Sequence, residues 1–441
     1  MKLRDLEDVD RYKILLSTMK GRPFRECNKS YDSLVDTFSA LYGEKKYRAL
    51  QWFFTNTSKA IRNGYAGFSV RMRASYWSGN VCGIGARQVK SVLDKLEQDG
   101  YITIFTGNKD TRAEWLSFPT VVRFQPKLLS LFDSEQIVLH VAKGCILDPV
   151  VVKDRKTKEQ LFIENTEEYL GMVGKMNDYN QSLSEVQIEF MGEPLPLVEY
   201  KRSFSGDLFH GGRLFVHGGG IQLLPEQYRL EHITVNGEKI VELDYKANHP
   251  YMLYSLYLNE NKNISELISD NFDPYNADSS FLQVDSIAIA KHKMKYSLSK
   301  YDPVRNLYKR ALLLSINCVD FAQTKRTLGN ELFKDNLRDE KDREFIGIIK
   351  PDTGKIIQAL ADHNYIIEKE FYSDKGIWLQ NLDSEIALRV IDLMIQSGEV
   401  ALCYHDSFCC RESVEDLMYA AMRQAWKDIL GSDTFCKISK K

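Results

Sequence analysis

Three short stretches of this 441-residue chain combine residue types and spacings suited to phosphoryl-transfer chemistry. In residues 400–410, two apolar runs flank a polar tip, His405-Asp406-Ser407. Strand-like runs around such a tip predict a hairpin, and His-Asp is a poor purely structural turn where Asn-Gly would serve. The tip carboxylate of Asp406 therefore reads as chemical. Far upstream, residues 239–245 form a second strand-like run ending in Asp244-Tyr245, followed by Asn248-His249-Pro250 and an apolar helix. Two strand-end carboxylates suggest a two-metal site, because hard Mg²⁺ prefers carboxylate oxygens and nucleotidyl transfer uses ions about 3.5–4 Å apart. Glu242 lies two residues before Asp244, on the same strand face, as an accessory ligand or a pairing partner. Between the two acids, Arg305 and Lys309, with Tyr301 one turn back, would share one helical face. Cations four residues apart suit a triphosphate: Arg305 as a planar fork, Lys309 as the charge that neutralises the leaving phosphates. A lone Asp is ordinarily a strand-end or turn residue, and it is the joint pattern that favours chemistry.

The elements needed to position these groups are a sheet carrying both acids and a helix facing it. The order of strand Asp, Arg-x-x-x-Lys helix and His-Asp hairpin resembles the palm and fingers shared by family A DNA polymerases and the single-subunit, phage-type and mitochondrial RNA polymerases. Asp244-Tyr245 is similar to the first family A motif, Arg305-x-x-x-Lys309-Arg310 resembles the middle one, and His405-Asp406-Ser407-Phe408 resembles the RNA polymerase form of the last. Gly212-Arg213-Leu214-Phe215 is similar to the Gly-Arg-aliphatic-aromatic element that those RNA polymerases carry before the palm. The resemblance covers roughly residues 200 to 425. It implies Asp244, Asp406 and Lys309 as catalytic residues, with two Mg²⁺ ions, or Mn²⁺, held by Asp244, Asp406 and the carbonyl of Tyr245. It further implies nucleotide contacts from Arg305, Lys309, His249 and Asn317, and nucleic-acid contacts from Arg213 and His405. The chain departs from family A where His249 replaces a Glu, Asn317 a Tyr, Leu313 an aromatic residue and Cys318 a glycine. Choice between ribose and deoxyribose is thereby left open.

Upstream, Leu34, Phe38, Leu41, Tyr42, Tyr47, Leu50, Phe53 and Phe54 recur at three- and four-residue spacing and predict a helical core. A glycine-containing turn then precedes a helix with Val89, Val92, Leu93 and Leu96 inward, ended by Gly100. Two strand-like runs follow at 101–105 and 120–124, around a turn-rich 106–110. This order resembles a winged helix-turn-helix, whose second helix would offer Arg87, Gln88, Lys90 and Ser91 to a major groove, with the wing on the backbone. Residues 59–127 carry eleven cations against five anions, a local excess that suits a polyanion in a chain of net charge -2. The plain alternative is a winged helix used for packing or dimerisation.

Composition bounds the rest. Forty-four per cent apolar residues over 441 positions allow two or three domains with sizeable cores. The reading is α+β: an N-terminal extension at 1–30, either mobile or a surface helix, a winged helix-turn-helix at 31–127, a linker and thumb-like helical region at 128–200, and a right-hand palm with helical fingers at 201–441. The glycine runs around 206–220 lack the Gly-Lys-Ser/Thr ending of a P-loop. None of the eight cysteines forms a Cys-x-x-Cys pair, and the start is too charged for a signal peptide, so a reduced, cytoplasmic setting without membrane contact is expected. The function these features suit is a nucleic-acid polymerase acting on a nucleic-acid 3' end with nucleoside triphosphates. Two alternatives remain open: a winged-helix DNA-binding regulator or replication initiator with an inactive palm, and a template-independent terminal nucleotidyltransferase of a defence or toxin system. Oligomeric state is left open.

Overall fold

Apolar side chains three and four residues apart close two helices near the start of the chain, Asp32–Tyr42 and Tyr47–Arg62. Their inward positions Leu34, Phe38, Tyr42, Leu50, Phe53 and Phe54 are buried as the spacing predicts, whereas Leu41 is 66% exposed. In a computed structural model, residues 2–20, 32–62, 64–72, 77, 84–107, 118–134, 149–216, 220–260, 269, 271–282, 286–296, 302–333, 340–349 and 351–441 are described. The architecture is α+β, in two compact units that interleave along the chain. One comprises residues 1–149, 176–201 and 216–239, and the other 150–175, 202–215 and 240–441.

In the first unit a four-stranded sheet runs in the order Thr18–Lys20, Gly67–Val70, Thr120–Phe124, Ile102–Phe105. Thr120–Phe124 is antiparallel to the strand on either side of it, and the first strand joins Gly67–Val70 parallel. The helix Ala86–Gln98 buries Val89, Val92, Leu93 and Leu96 against the core of the helical pair and leaves Arg87 and Lys90 exposed. Gly100, at φ +75°, turns the chain out of that helix in a conformation that costs glycine little. Of the two expectations for the start of the chain, the helix holds for Asp8–Leu16. Leu3 and Ile14 pack on Phe105 and Val121, so this segment also contributes core. Residues 73–76 and 78–83 ahead of that helix, most of the expected turn-rich 106–110 together with 111–117, and Tyr301 lie outside the described residues.

The second unit holds Asp244, the Arg305-Lys309 helix and the His405-Asp406 hairpin. Its central sheet orders four strands as Leu402–Tyr404, Ser407–Arg411, Glu238–Tyr245 and Ile438–Lys440, all antiparallel. One face of the Glu238–Tyr245 strand sends Leu243 and Tyr245 into the core, where the Tyr245 ring lies 5.1 Å from Trp426 and its hydroxyl donates to Met422 O. The other face carries Glu242 and Asp244. Two helices, Gly376–Gln396 and Glu415–Leu430, pack on each other and bury Ile386, Val390, Ile391, Met394, Met418 and Met422. The helix Pro303–Asn317 starts at Asp302, whose carboxylate accepts from the Val304 and Arg305 N–H groups, with proline at the first helical position. Leu307, Tyr308, Ala311, Leu312, Ser315 and Ile316 form its buried face. A third element, a three-stranded sheet of Val150–Lys153, Tyr200–Ser205 and Asp207–Val216, carries Arg213.

Candidate active site

The two acids sit at the same end of one antiparallel pair. Asp244 is opposite Ser407 in register, and the Tyr245 N–H donates to Asp406 O at 3.2 Å, so the Asp406 backbone abuts the end of the Asp244 strand. Tyr404 pairs with Ser407, which leaves His405-Asp406 as a two-residue hairpin loop. His405 adopts φ +67°, a left-handed conformation that glycine or asparagine would take more easily. Its ring meets Phe215 edge-on at 5.2 Å, and Nδ1 is buried without a hydrogen-bond partner among the described residues. A strained, non-glycine tip that carries an acid is the kind of feature that clusters at active sites.

Behind the pair lies a buried polar network that sequence reasoning missed. Asp383, 3% exposed, accepts from Arg213 Nε at 2.9 Å and from Asn248 Nδ2 at 2.7 Å. The Arg213 guanidinium also faces His249 Nε2 at 3.4 Å. Gly212 lets the strand carrying Arg213 pack closely here: at φ +85°, an added Cβ would sit 2.7 Å from the Phe204 ring and 2.9 Å from both Arg202 and Ser384. Arg202, itself 1% exposed, ties the same place down through Gly212 O, Ser384 and Glu385. Asp383 was hidden because an acid in an apolar helical repeat reads as a surface residue.

A cleft of about 610 Å³ is lined by Asp244, Tyr245, His249, Asn248, His405 and Asp406, by Arg213, and by Arg305, Lys309 and Leu313 of the facing helix. Lys246, Ala247, Asp273 and Tyr275 complete it. Arg305, Lys309 and Leu313 recur every four residues, hence on one helical face. Arg305 is held by Asp273 at 2.6 Å and lies over the Tyr275 ring at 4.9 Å. Among the expected nucleotide residues, Asn317 is the one outside the cleft. Its amide donates to Leu313 O, and its Oδ1 lies where a side chain on Gly376 would have to sit. Glu242, foreseen as an accessory ligand or a pairing partner, accepts from Ser407 Oγ and Lys441 Nζ, each at 2.7 Å. Arg87 and Lys90 belong to the first unit, where Lys90 is bridged to Asp94 at 2.6 Å.

Burial and the neighbouring Asp406 charge push the Asp244 carboxyl up to about 6, although the Lys441 ammonium pulls the other way. Asp406 is raised as well, by burial and then by Asp383, with Arg213 opposing. Burial and Arg213 lower His249 to about 4 and also lower His405, so both rings are neutral at pH 7. Among the described residues no group of three or more His, Cys, Asp or Glu side chains is placed to hold a metal ion. The donor set present is two carboxylates, both with raised proton affinity, plus main-chain carbonyls. It fits hard cations that take the rest of their shell from water and substrate. Asn248 Oδ1, buried and without a partner among the described residues, is a further acceptor on the cleft wall. No helix of the described residues is long and apolar enough to cross a membrane.

No protein family matches the sequence, and no curated protein does. Among solved structures, the chain is similar to the POL domain of Pol1 from M. smegmatis in complex with DNA primer-template and dNTP, at 10% identity. The alignment covers 93% of this chain and 71% of that one, with a TM-score of 0.31.

Proposed function

We propose that this chain is a nucleotidyltransferase of the polymerase palm type, which adds nucleoside triphosphates to a nucleic-acid 3' end. One observation carries the reading: Asp244 and Asp406 at adjoining strand ends line the same cleft as Arg305 and Lys309. Anionic oxygens on one wall and cations on the other are what a triphosphate and its attacking hydroxyl require. Divalent ions, when bound by Asp244, Asp406 and the Tyr245 carbonyl, would lower the pKa of the attacking hydroxyl and screen the phosphates. Lys309, exposed and with no ion pair or hydrogen bond to a described residue, is free to meet the leaving phosphates. Arg305 is pre-aimed by Asp273 and Tyr275, so less side-chain entropy is lost when it grips a phosphate. Arg213, by holding Asp383, keeps a positive charge beside His249 and His405, and both rings stay neutral. With Nε2 of His249 accepting from Arg213, its Nδ1–H is left to donate, for example to a ribose hydroxyl. In the first unit, the described helix Ala86–Gln98 followed by two antiparallel strands, with Arg87 and Lys90 exposed, supports a winged helix that grips the nucleic acid.

Extension of a labelled primer-template, with ribonucleotides and deoxyribonucleotides in separate reactions and with Mg²⁺ or chelator, tests the reading. Metal-dependent extension that disappears in Asp406→Asn is the expected result. Full activity of that variant would remove the palm assignment, and nucleic-acid binding without any incorporation would favour the regulator instead.

A further inference from the structure

Glu242 is fully buried, and its carboxylate is surrounded by donors: Ser407 Oγ and Lys441 Nζ, each at 2.7 Å, and Cys409 Sγ at 3.7 Å. The same Lys441 ammonium stands 3.5 Å from Asp244 Oδ1. It is brought there by the Ile438–Lys440 strand, which pairs Ser439 with Asp244, and by the Lys441 N–H, which donates to Glu242 O at 3.0 Å. Glu242 and Asp244, two residues apart on one strand face, would otherwise be two like charges facing one buried space. We propose that Lys441 is an internal cation that fills the Glu242–Asp244 acid pair and excludes a divalent ion from it, which confines metal binding to the Asp406 side of Asp244.

The inference rests on the metal-binding reading of Asp244 given above. An ion bridging Glu242 and Asp244 would need oxygen contacts near 2.0–2.1 Å for Mg²⁺, in the space the ammonium now occupies. Tethering by an edge strand makes the ammonium hard to displace, since the strand pairing and the Glu242 ion pair would have to break together. Asp244 is thus engaged through Oδ1 by Lys441, and its second oxygen remains for the cleft. The arrangement also explains why Glu242, though aligned with Asp244, is not a third ligand.

Mn²⁺ binding to the full chain, read by loss of the free-ion resonance, separates the possibilities. Lys441→Met should bind Mn²⁺ roughly 10- to 100-fold more tightly, or take up an additional ion, the scale on which residues behind a metal site act. Adding Glu242→Gln to Lys441→Met should abolish that gain, while adding Asp406→Asn should leave it. Unchanged Mn²⁺ affinity and stoichiometry in Lys441→Met overturns the proposal, as does a gain that survives Glu242→Gln. Should Lys441→Met unfold, refolding by millimolar Mn²⁺ but not by matched ionic strength supports it, and failure of Mn²⁺ to restore the fold counts against it. A wild-type chain that binds no Mn²⁺ through Asp406 would sink the polymerase reading, whereas the gain in Lys441→Met reports on the filled acid pair alone.

Discussion

Asp244 shows how burial and neighbouring charge act on a single side chain. Its folded pKa, about 6 against an ordinary 3.8, means that the folded state holds the proton more tightly than the unfolded one. Stability from that protonation is complete below about pH 4 and is lost as pH rises through 6. At 1.36 kcal/mol per pH unit the loss is of the order of 3 kcal/mol, and the side chain is 27% exposed, which trims it somewhat. Asp244→Asn should therefore stabilise the metal-free protein by about 1–3 kcal/mol at pH 7.5 and by almost nothing near pH 4. Denaturant titrations at the two pH values check this, and equal effects at both would show that burial and repulsion of the charged carboxylate are not the cause. In the wild type, Mg²⁺ should raise the melting temperature at pH 7.5 and much less at pH 5, where the carboxyl is protonated. The two acids were legible because each ends a strand-like run. Asp383 and Lys441 were not, because nothing in their local spacing distinguishes a buried anchor from an exposed charge.

Elements convert such residues into a site, and the arginine-lysine helix shows how much of that conversion is readable. Its i, i+4 cations were visible in the sequence, as was its apolar opposite face. Asp273 was invisible, because it lies 32 positions away and only folding brings it to Arg305. Asp273→Asn should raise the nucleotide concentration needed for half-maximal incorporation by less than Arg305→Ala does. The latter should cost roughly 10- to 100-fold, the worth of charge-assisted hydrogen bonds. Steady-state kinetics decide it: an Asp273 effect on maximal rate alone would place the residue in some other role. On the neighbouring hairpin, Gly212→Ala should destabilise by about 1–3 kcal/mol, since a left-handed backbone and the close approach of Phe204, Arg202 and Ser384 oppose the new methyl. It should also weaken catalysis through Arg213. Unchanged stability together with unchanged kinetics would mean that the hairpin gives way without cost. The Gly-Arg pair was readable as a motif, but its surroundings were not, because Arg213 is held by residue 383 and the neighbouring Arg202 by residues 384 and 385.

At the scale of the whole molecule, periodicity exposed the helical core of the first unit and alternation exposed the hairpin of the second. The interleaving of the two units was hidden, because composition does not change where the chain crosses from one to the other. Charge is divided unequally between them: the excess of six cations in residues 59–127 belongs to the unit without the acid pair. If the Ala86–Gln98 helix meets phosphates, its two exposed cations should not contribute equally. Lys90 is already bonded to Asp94 at 2.6 Å, so transferring it to a phosphate gives up an existing partner. Arg87 has no ion pair or hydrogen bond to a described residue. Removing one cation that neutralises a phosphate should flatten the slope of log affinity against log salt by about 0.9 on duplex DNA. Arg87→Ala should approach that figure, and Lys90→Ala should fall well short of it. Incorporation at saturating primer-template should stay unchanged in both, because neither residue belongs to the cleft. Fluorescence anisotropy across a salt series measures the slopes directly. Identical slopes for wild type and Arg87→Ala would assign this helix to packing and move nucleic-acid binding elsewhere on the chain.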